Sequence, residues 1–457
     1  MKITAKKSLN VRHMALWMLL MMLPFMNSCK QEATDASDLL ATVPSSAGMV
    51  VGVNLKSLLE KTGCEVNGTE IVAGKEMKEL LATIQKDSVN RKNADALNLF
   101  LSGDSGIDPS GAIVFTDAYG TYVTAMLADT QKFYDFVEKQ TGDKFTEENG
   151  VKVCREIAVL GAQVWVSISG SSIDSKAVKN YAALEKGQSF VSNPFADKVS
   201  NIANDIVGWS RINTFFQQKG GISTSDIAAF NMMLGMTCEG ATSISFTLDF
   251  LKGEVKALCN VLNDEGKPAK YLFPFDKVDT SLVKSLGENA NAVFSFVITK
   301  EAVKKMEQLN SSFGGPYGEM IEYFKALDGT IAVAFSDITD PLKGIRGVVT
   351  TNGDASSGLM NLVSQLCPAK KDGKLIRLEN GTLEGSLKMG DVADFLKGSG
   401  GGGVMNLSVF GADTSKIGVS SFGVAGRPNG AGISAEFVVK GTDPSENFLI
   451  TVMKNIK

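Results

Sequence analysis

A short apolar run, a helix-capping residue, a helical stretch and then a two-armed β-hairpin recur three times along this 457-residue chain. Each run is too apolar to face water and too short to cross a bilayer. Each therefore predicts a buried strand, and the cap behind it starts a helix that can fold back over the same strand. Hairpins pair neighbouring strands antiparallel. A chain of this order is thereby confined to the α+β class: repeated strand–helix–β-hairpin units forming mainly antiparallel sheet, with helices packed on one face. Hairpins recur too often for a doubly wound parallel sheet.

The first run is 48–53 (GMVVGV), with Asn54 as cap and a hairpin starting at Gly111. The second is 205–210 (DIVGWS), with Asn213 in the capping place and a hairpin starting at Ala241. The third is 291–297 (NAVFSFV), with Thr299 as cap and a hairpin starting at Gly329. The predicted core strands are carried by Val50, Val51 and Val53, by Ile206 and Val207, and by Val293, Phe294 and Phe296. Behind the first hairpin Asp129 starts a helix whose Phe133, Phe136 and Val137 form an apolar stripe. Asn149-Gly150 and Asn380-Gly381 supply the positive φ values of type I′ hairpin turns. The runs from Val404 onward form a candidate fourth unit, and a closing helix starts near Ser445. The predicted division is a signal segment 1–28, a polar tether 29–42, and α+β units at 43–190, 191–275 and 276–457.

The first residues read as an address. Lys2, Lys6, Lys7 and Arg12 precede an apolar stretch, 14–26, followed by Asn27-Ser28-Cys29. The segment resembles a bacterial lipoprotein signal peptide, although Met26 and Asn27 depart from the usual residues before the cysteine. The resemblance implies that Cys29 carries acyl chains such as palmitate and that 1–28 are removed. Several chains anchor a protein stably where one alone would not. An ordinary secretory signal with a coincidental cysteine is the alternative. The opening Val43-Pro44-Ser45-Ser46-Ala47-Gly48-Met49-Val50-Val51-Gly52-Val53-Asn54, taken with that signal, is similar to an uncharacterised family of Bacteroidetes lipoproteins. That resemblance implies an outer-membrane anchor, on the periplasmic or the cell-surface side, and supplies no catalytic residues.

Charge and side-chain inventory narrow the function. The whole chain has 46 Lys+Arg against 50 Asp+Glu, with no basic cluster, which argues against nucleic-acid binding. Its one histidine, His13, lies in the signal segment, so no Ser-His or Cys-His pair and no imidazole metal ligand is expected beyond it. Neither a cofactor nor a metal site is expected. Cys64, Cys154, Cys238, Cys259 and Cys367 are scattered without a C-x-x-C and read as small buried hydrophobes, with one incidental disulfide left open.

Isolated motifs are weak. Ser281-Leu282-Val283-Lys284 and Lys61-Thr62-Gly63 match the S-x-x-K and K-T-G of penicillin-binding enzymes, but in reversed order. Ser281 reads better as a helix cap and Thr62-Gly63 as a helix end. The glycine run 398–403 lacks the Gly-Lys-Ser/Thr of a phosphate loop and reads as a flexible connector. Asp279 and Asp413 stand singly in loops, without a calcium-loop pattern. Trp165 and Trp209 lie in apolar strand runs, where core packing is favoured over a sugar platform. Asp87-Ser88-Val89 makes Ser88 a candidate for O-glycosylation. The chain therefore reads as a non-catalytic envelope lipoprotein that binds or scaffolds a protein or glycan partner. The alternatives are a carrier or chaperone of apolar cargo, using stretches such as Phe230-Asn231-Met232-Met233-Leu234, and a carboxylate-dependent glycan hydrolase.

Overall fold

The computed structural model describes residues 34–86, 91–168, 172–217, 231–232, 234–312, 318–340, 343–353, 357–407 and 418–455. The chain folds as two compact units: Met1–Gly221 with Ser243–Val255 and Asp443–Lys457, and Ile222–Thr242 with Lys256–Thr442. The α+β class predicted from the hairpins is the class observed. The boundaries differ from three consecutive units because the final helix joins the first unit and the sheet strands associate in two groups.

In the first unit the strands are β1 (Met49–Val53), β2 (Ile107–Thr116), β3 (Thr121–Leu127), β4 (Thr146–Glu148), β5 (Val151–Cys154), β6 (Ile157–Leu160), β7 (Gln163–Ser167), β8 (Ile206–Arg211) and β9 (Ser243–Leu251). They pair antiparallel in the order β4-β5-β6-β7-β3-β2-β1-β8-β9. In the second unit β10 (Glu254–Leu262), β11 (Ala292–Ile298), β12 (Leu327–Phe335), β13 (Gly344–Thr351), β14 (Ala369–Asp372), β15 (Leu375–Gly381), β16 (Gly401–Asn406), β17 (Val419–Asn429) and β18 (Gly432–Gly441) follow. Their order is β10-β18-β17-β16-β11-β12-β13-β15-β14.

The three predicted openings are β1, β8 and β11, and each pairs antiparallel with the first arm of its own hairpin. A fourth opening, β16, does the same with β17. The openings also pair with one another, β1 with β8 and β11 with β16. The second sheet is thus hairpin, opening, opening, hairpin; the first is hairpin, opening, opening and the single arm β9, because β10 lies mostly in the second unit.

The glycine run is the main correction to the sequence reading. Residues 401–403 are not a flexible connector but part of the central strand β16. A β-carbon on Gly402 would stand 2.1 Å from the Val424 carbonyl oxygen, and one on Gly403 would stand 2.5 Å from the Phe294 ring. Side chains are absent there so that neighbours can close on the strand. Gly208 does the same in β8, where the Phe246 ring would lie 2.2 Å from an added β-carbon.

Local signals behave largely as expected. Asp129 accepts from Lys132 N, Gly142 ends that helix at φ 79°, and Phe133, Phe136 and Val137 are buried. Asn54 caps α1 (Leu55–Glu60) through Ser57 N, and Thr299 accepts from Ala302 N. Asn213 instead lies inside the helix Ile212–Gln217. Asn149-Gly150 is a hairpin turn, both φ being positive between paired Glu148 and Val151. Asn380-Gly381 is not a hairpin turn: it ends β15, which pairs with β13. The predicted tether is folded from residue 34, with Leu39 and Leu40 buried and Thr34 paired to Ile202.

Helices flank both sheet faces in the second unit, rather than one. Val293, Ala332, Val348 and Val404 pack with Val283 of α2 (Thr280–Lys284) and with Val392 and Leu396 of α3 (Met389–Leu396). Ile298, Ile331, Val349 and Ile376, on the opposite parity, pack with Val303, Ile321 and Leu359 of three other helices. Both parities of these strands are apolar, so each face needs cover.

In the first unit a buried ion pair ties α1 to the sheet. Lys61 Nζ donates to both Asp205 carboxylate oxygens at 2.7 and 2.9 Å, while Ser57 Oγ and Phe250 N donate to the same carboxylate at 2.8 Å each. Their side chains are only 6% and 0% exposed. Lys61→Met leaves that carboxylate buried without its counter-ion and should cost about 3–5 kcal/mol, read as a lower urea midpoint.

Candidate functional site: the open sheet face and the cleft of the second unit

The enzyme-like motifs do not assemble. Lys61 is spent on Asp205, Thr62 Oγ1 donates to the Leu59 carbonyl, and Gly63 takes φ 77° at the helix end. Ser281 and Lys284 lie in the other unit. Asp279, not Ser281, is the cap, accepting from Ser281 N at 2.9 Å, and Lys284 reaches Asp394 at 3.3 Å. Trp165 and Trp209 are core residues, 0% and 1% exposed, with Trp209 stacked on Phe195 at 4.6 Å. Cys64, Cys154, Cys238 and Cys367 are buried, and burial pushes their thiols up, so they stay protonated and unreactive. Cys259 is partly exposed, and its thiol is likewise pushed up by desolvation. Cys29, Ser88, Asp413 and parts of the 230–234 stretch lie outside the described residues.

What the strands do assemble is an apolar sheet face. The register sets Phe294 against Gly403, then Val424, then Phe437; one step along, it sets Met405 against Phe422, then Val439. Alternation places all of these, with Phe296, on one side of the sheet. Phe296 is 43% exposed, and Phe294, Met405, Phe422, Val424, Phe437 and Val439 are all partly exposed. The glycines of β16 make this arrangement possible by letting Phe294 and Phe296 lie across the strand. Phe294 meets Phe335 edge-on at 6.3 Å, and Phe422 meets Phe437 at 6.3 Å. The sequence marked Phe294 and Phe296 as core, and missed that their side of the sheet remains partly open.

On the opposite side, α3 and the strands β16–β18 enclose a cleft of about 260 Å³. Val392, Phe395, Val404 and Val438 form its apolar part, and Lys388, Asp391, Ser421 and Lys440 are among its polar residues. Arg427 fixes Phe395 in place: its guanidinium lies 5.9 Å from the ring centroid and donates to the Phe395 and Lys397 carbonyls at 2.8 and 2.9 Å, capping α3. Arg427 also pairs with Glu436, which Lys256 reaches at 2.5 Å.

Burial alone would push the Glu436 carboxyl up, but Lys256 and Arg427 outweigh it and hold the group below the ordinary 4.5. A depressed carboxyl contributes stability above its unfolded pKa and loses it as pH falls through the folded one. The wild type should therefore be more stable than Glu436→Gln at pH 7. The gap between their denaturation midpoints should shrink as the pH falls below 4.5. A gap constant with pH would show that this charge does not act.

No protein-family model and no curated protein matches the chain. Among solved structures, crystal form IV of TP0453 matches at 10% identity and TM-score 0.30, covering 49% of this chain and 79% of that one. Crystal form I of TP0453 matches at 8% identity and TM-score 0.26, covering 78% and 95%. Likenesses this low bear on neither the fold nor the function.

Proposed function

We propose that the chain is a lipid-anchored, non-catalytic binding protein of the outer membrane, held through Cys29, whose binding surface is the open apolar sheet face of the second unit. The observation that carries binding is Phe296, an aromatic ring 43% exposed in the middle of a sheet and flanked by other partly exposed rings. Folded chains place such rings in water where something apolar covers them. The same rings favour a second reading within this class, a carrier of apolar cargo. The penicillin-binding motifs lose their support, since Lys61 is committed to Asp205 and Ser281 and Lys284 lie in the other unit. The anchor rests on the basic and apolar residues ahead of Ser28-Cys29. No described helix is long and apolar enough to cross a membrane.

Cys29→Ser should move the protein from the membrane pellet to the soluble fraction of a cell lysate at high salt. A mutant that still pellets contradicts the anchor. Phe296→Asp, at a half-exposed position, should leave thermal stability nearly unchanged and reduce binding of an environment-sensitive apolar dye severalfold. Undiminished dye fluorescence would remove the sheet face as the binding surface.

A further inference from the structure

We propose that the cleft between α3 and β16–β18 binds a small monoanionic amphiphile, an aliphatic or aromatic carboxylate. The site lies on the sheet face opposite the Phe296 row and depends on neither that row nor the Cys29 anchor.

Its apolar part is built to remain open. Val404, Gly423 and Val438 stand side by side across three strands. A β-carbon on Gly423 would come 3.0 Å from the Phe395 ring, so any side chain there would start to fill the space. Phe395 is itself held by Arg427. The polar part is open to a ligand. Ser421 is only 4% exposed and lines the cleft, and its hydroxyl makes no hydrogen bond to another described residue, so it can bond water or a ligand there. Lys388 and Lys440 line the same cleft and form no ion pair among the described residues. The first turn of α3, the positive end of its dipole, lines it too. Asp391, the one acid in the lining among the described residues, makes a doubly charged anion a poor fit. A volume of about 260 Å³ suits a short chain or a single ring.

The first unit shows what a closed version looks like. There β8 takes the place that β16 takes here, and Trp209 on its helix-facing side is buried under Phe190 and Phe195. Those rings come from the long connection between the helix Ser175–Ala182 and β8. In the second unit residues 397–400 alone join α3 to β16, so that connection brings no such cover.

Titration calorimetry of the purified protein with octanoate tests the site. Saturable binding of one octanoate per chain is expected, with octan-1-ol at least about tenfold weaker and inorganic phosphate without heat. Lys440→Glu and Ser421→Val should each weaken octanoate about tenfold, while Lys440→Glu leaves the melting temperature unchanged. Phe296→Asp should leave octanoate binding intact. The proposal is overturned by non-saturable octanoate heats, by octan-1-ol binding as tightly as octanoate, by full affinity in Lys440→Glu, or by loss of binding in Phe296→Asp.

Discussion

In each unit two openings lie next to each other inside the sheet, β1 against β8 and β11 against β16, and the rest of each sheet is laid on from these pairs. A strand in such a place has neighbours on both edges and material on both faces. Its side chains must be apolar or missing. Val50 and Trp209 meet that condition with bulk, and Gly52 and Gly208 meet it with space. Ser295 and Gly402 form the corresponding pair in the second unit, Ser295 being satisfied by the Ile331 carbonyl. A hairpin then attaches to the free edges of β1, β11 and β16, and the strand β9 to that of β8, which fixes the register and which side chains share a face.

This explains where the sequence could be read and where it could not. The Asp129-capped helix declares itself within a few residues: cap, apolar spacing and a terminal glycine are local facts. The hairpins are equally local, because alternation and turn chemistry lie within each arm. The glycine run of β16 has no such mark. Out of context it reads as a connector, and only Phe294, brought alongside by strand pairing, gives its missing side chains a purpose. The carboxylate that Lys61 meets lies 144 residues away, so no local pattern announces it. Asn380-Gly381 misled for the converse reason. Its turn chemistry is real, with Gly381 at φ 62°, but the strand it ends finds its partner in β13 rather than across the turn.

The candidate surfaces were less legible than the fold. Alternation in VSSFGVA and ISAEFVV shows that two parities exist, but not which parity a helix covers. That depends on connection length. A long connection before β8 brings Phe190 and Phe195 down on Trp209, whereas four residues before β16 bring nothing. Ser421 looks like any strand serine until its neighbours across the sheet, Asn406 and Lys440, are known.

Duplication followed by unequal covering gives a physical route from one sheet plan to two characters. In the first unit the helix-facing side of the sheet is closed by stacked rings, and α1 is locked by Lys61 on Asp205, an arrangement that resists local opening. The second unit keeps the paired openings, each beside the first arm of its hairpin, but among the described residues both sides of β16–β18 are partly open. One side carries phenylalanines seated over glycine; the other carries a cleft bordered by lysines and Ser421. An apolar surface left in water lowers solubility. Among the described residues, the first unit's sheet carries stacked rings on the side where the second unit's carries a cleft, and the proposed binding reading draws on that difference.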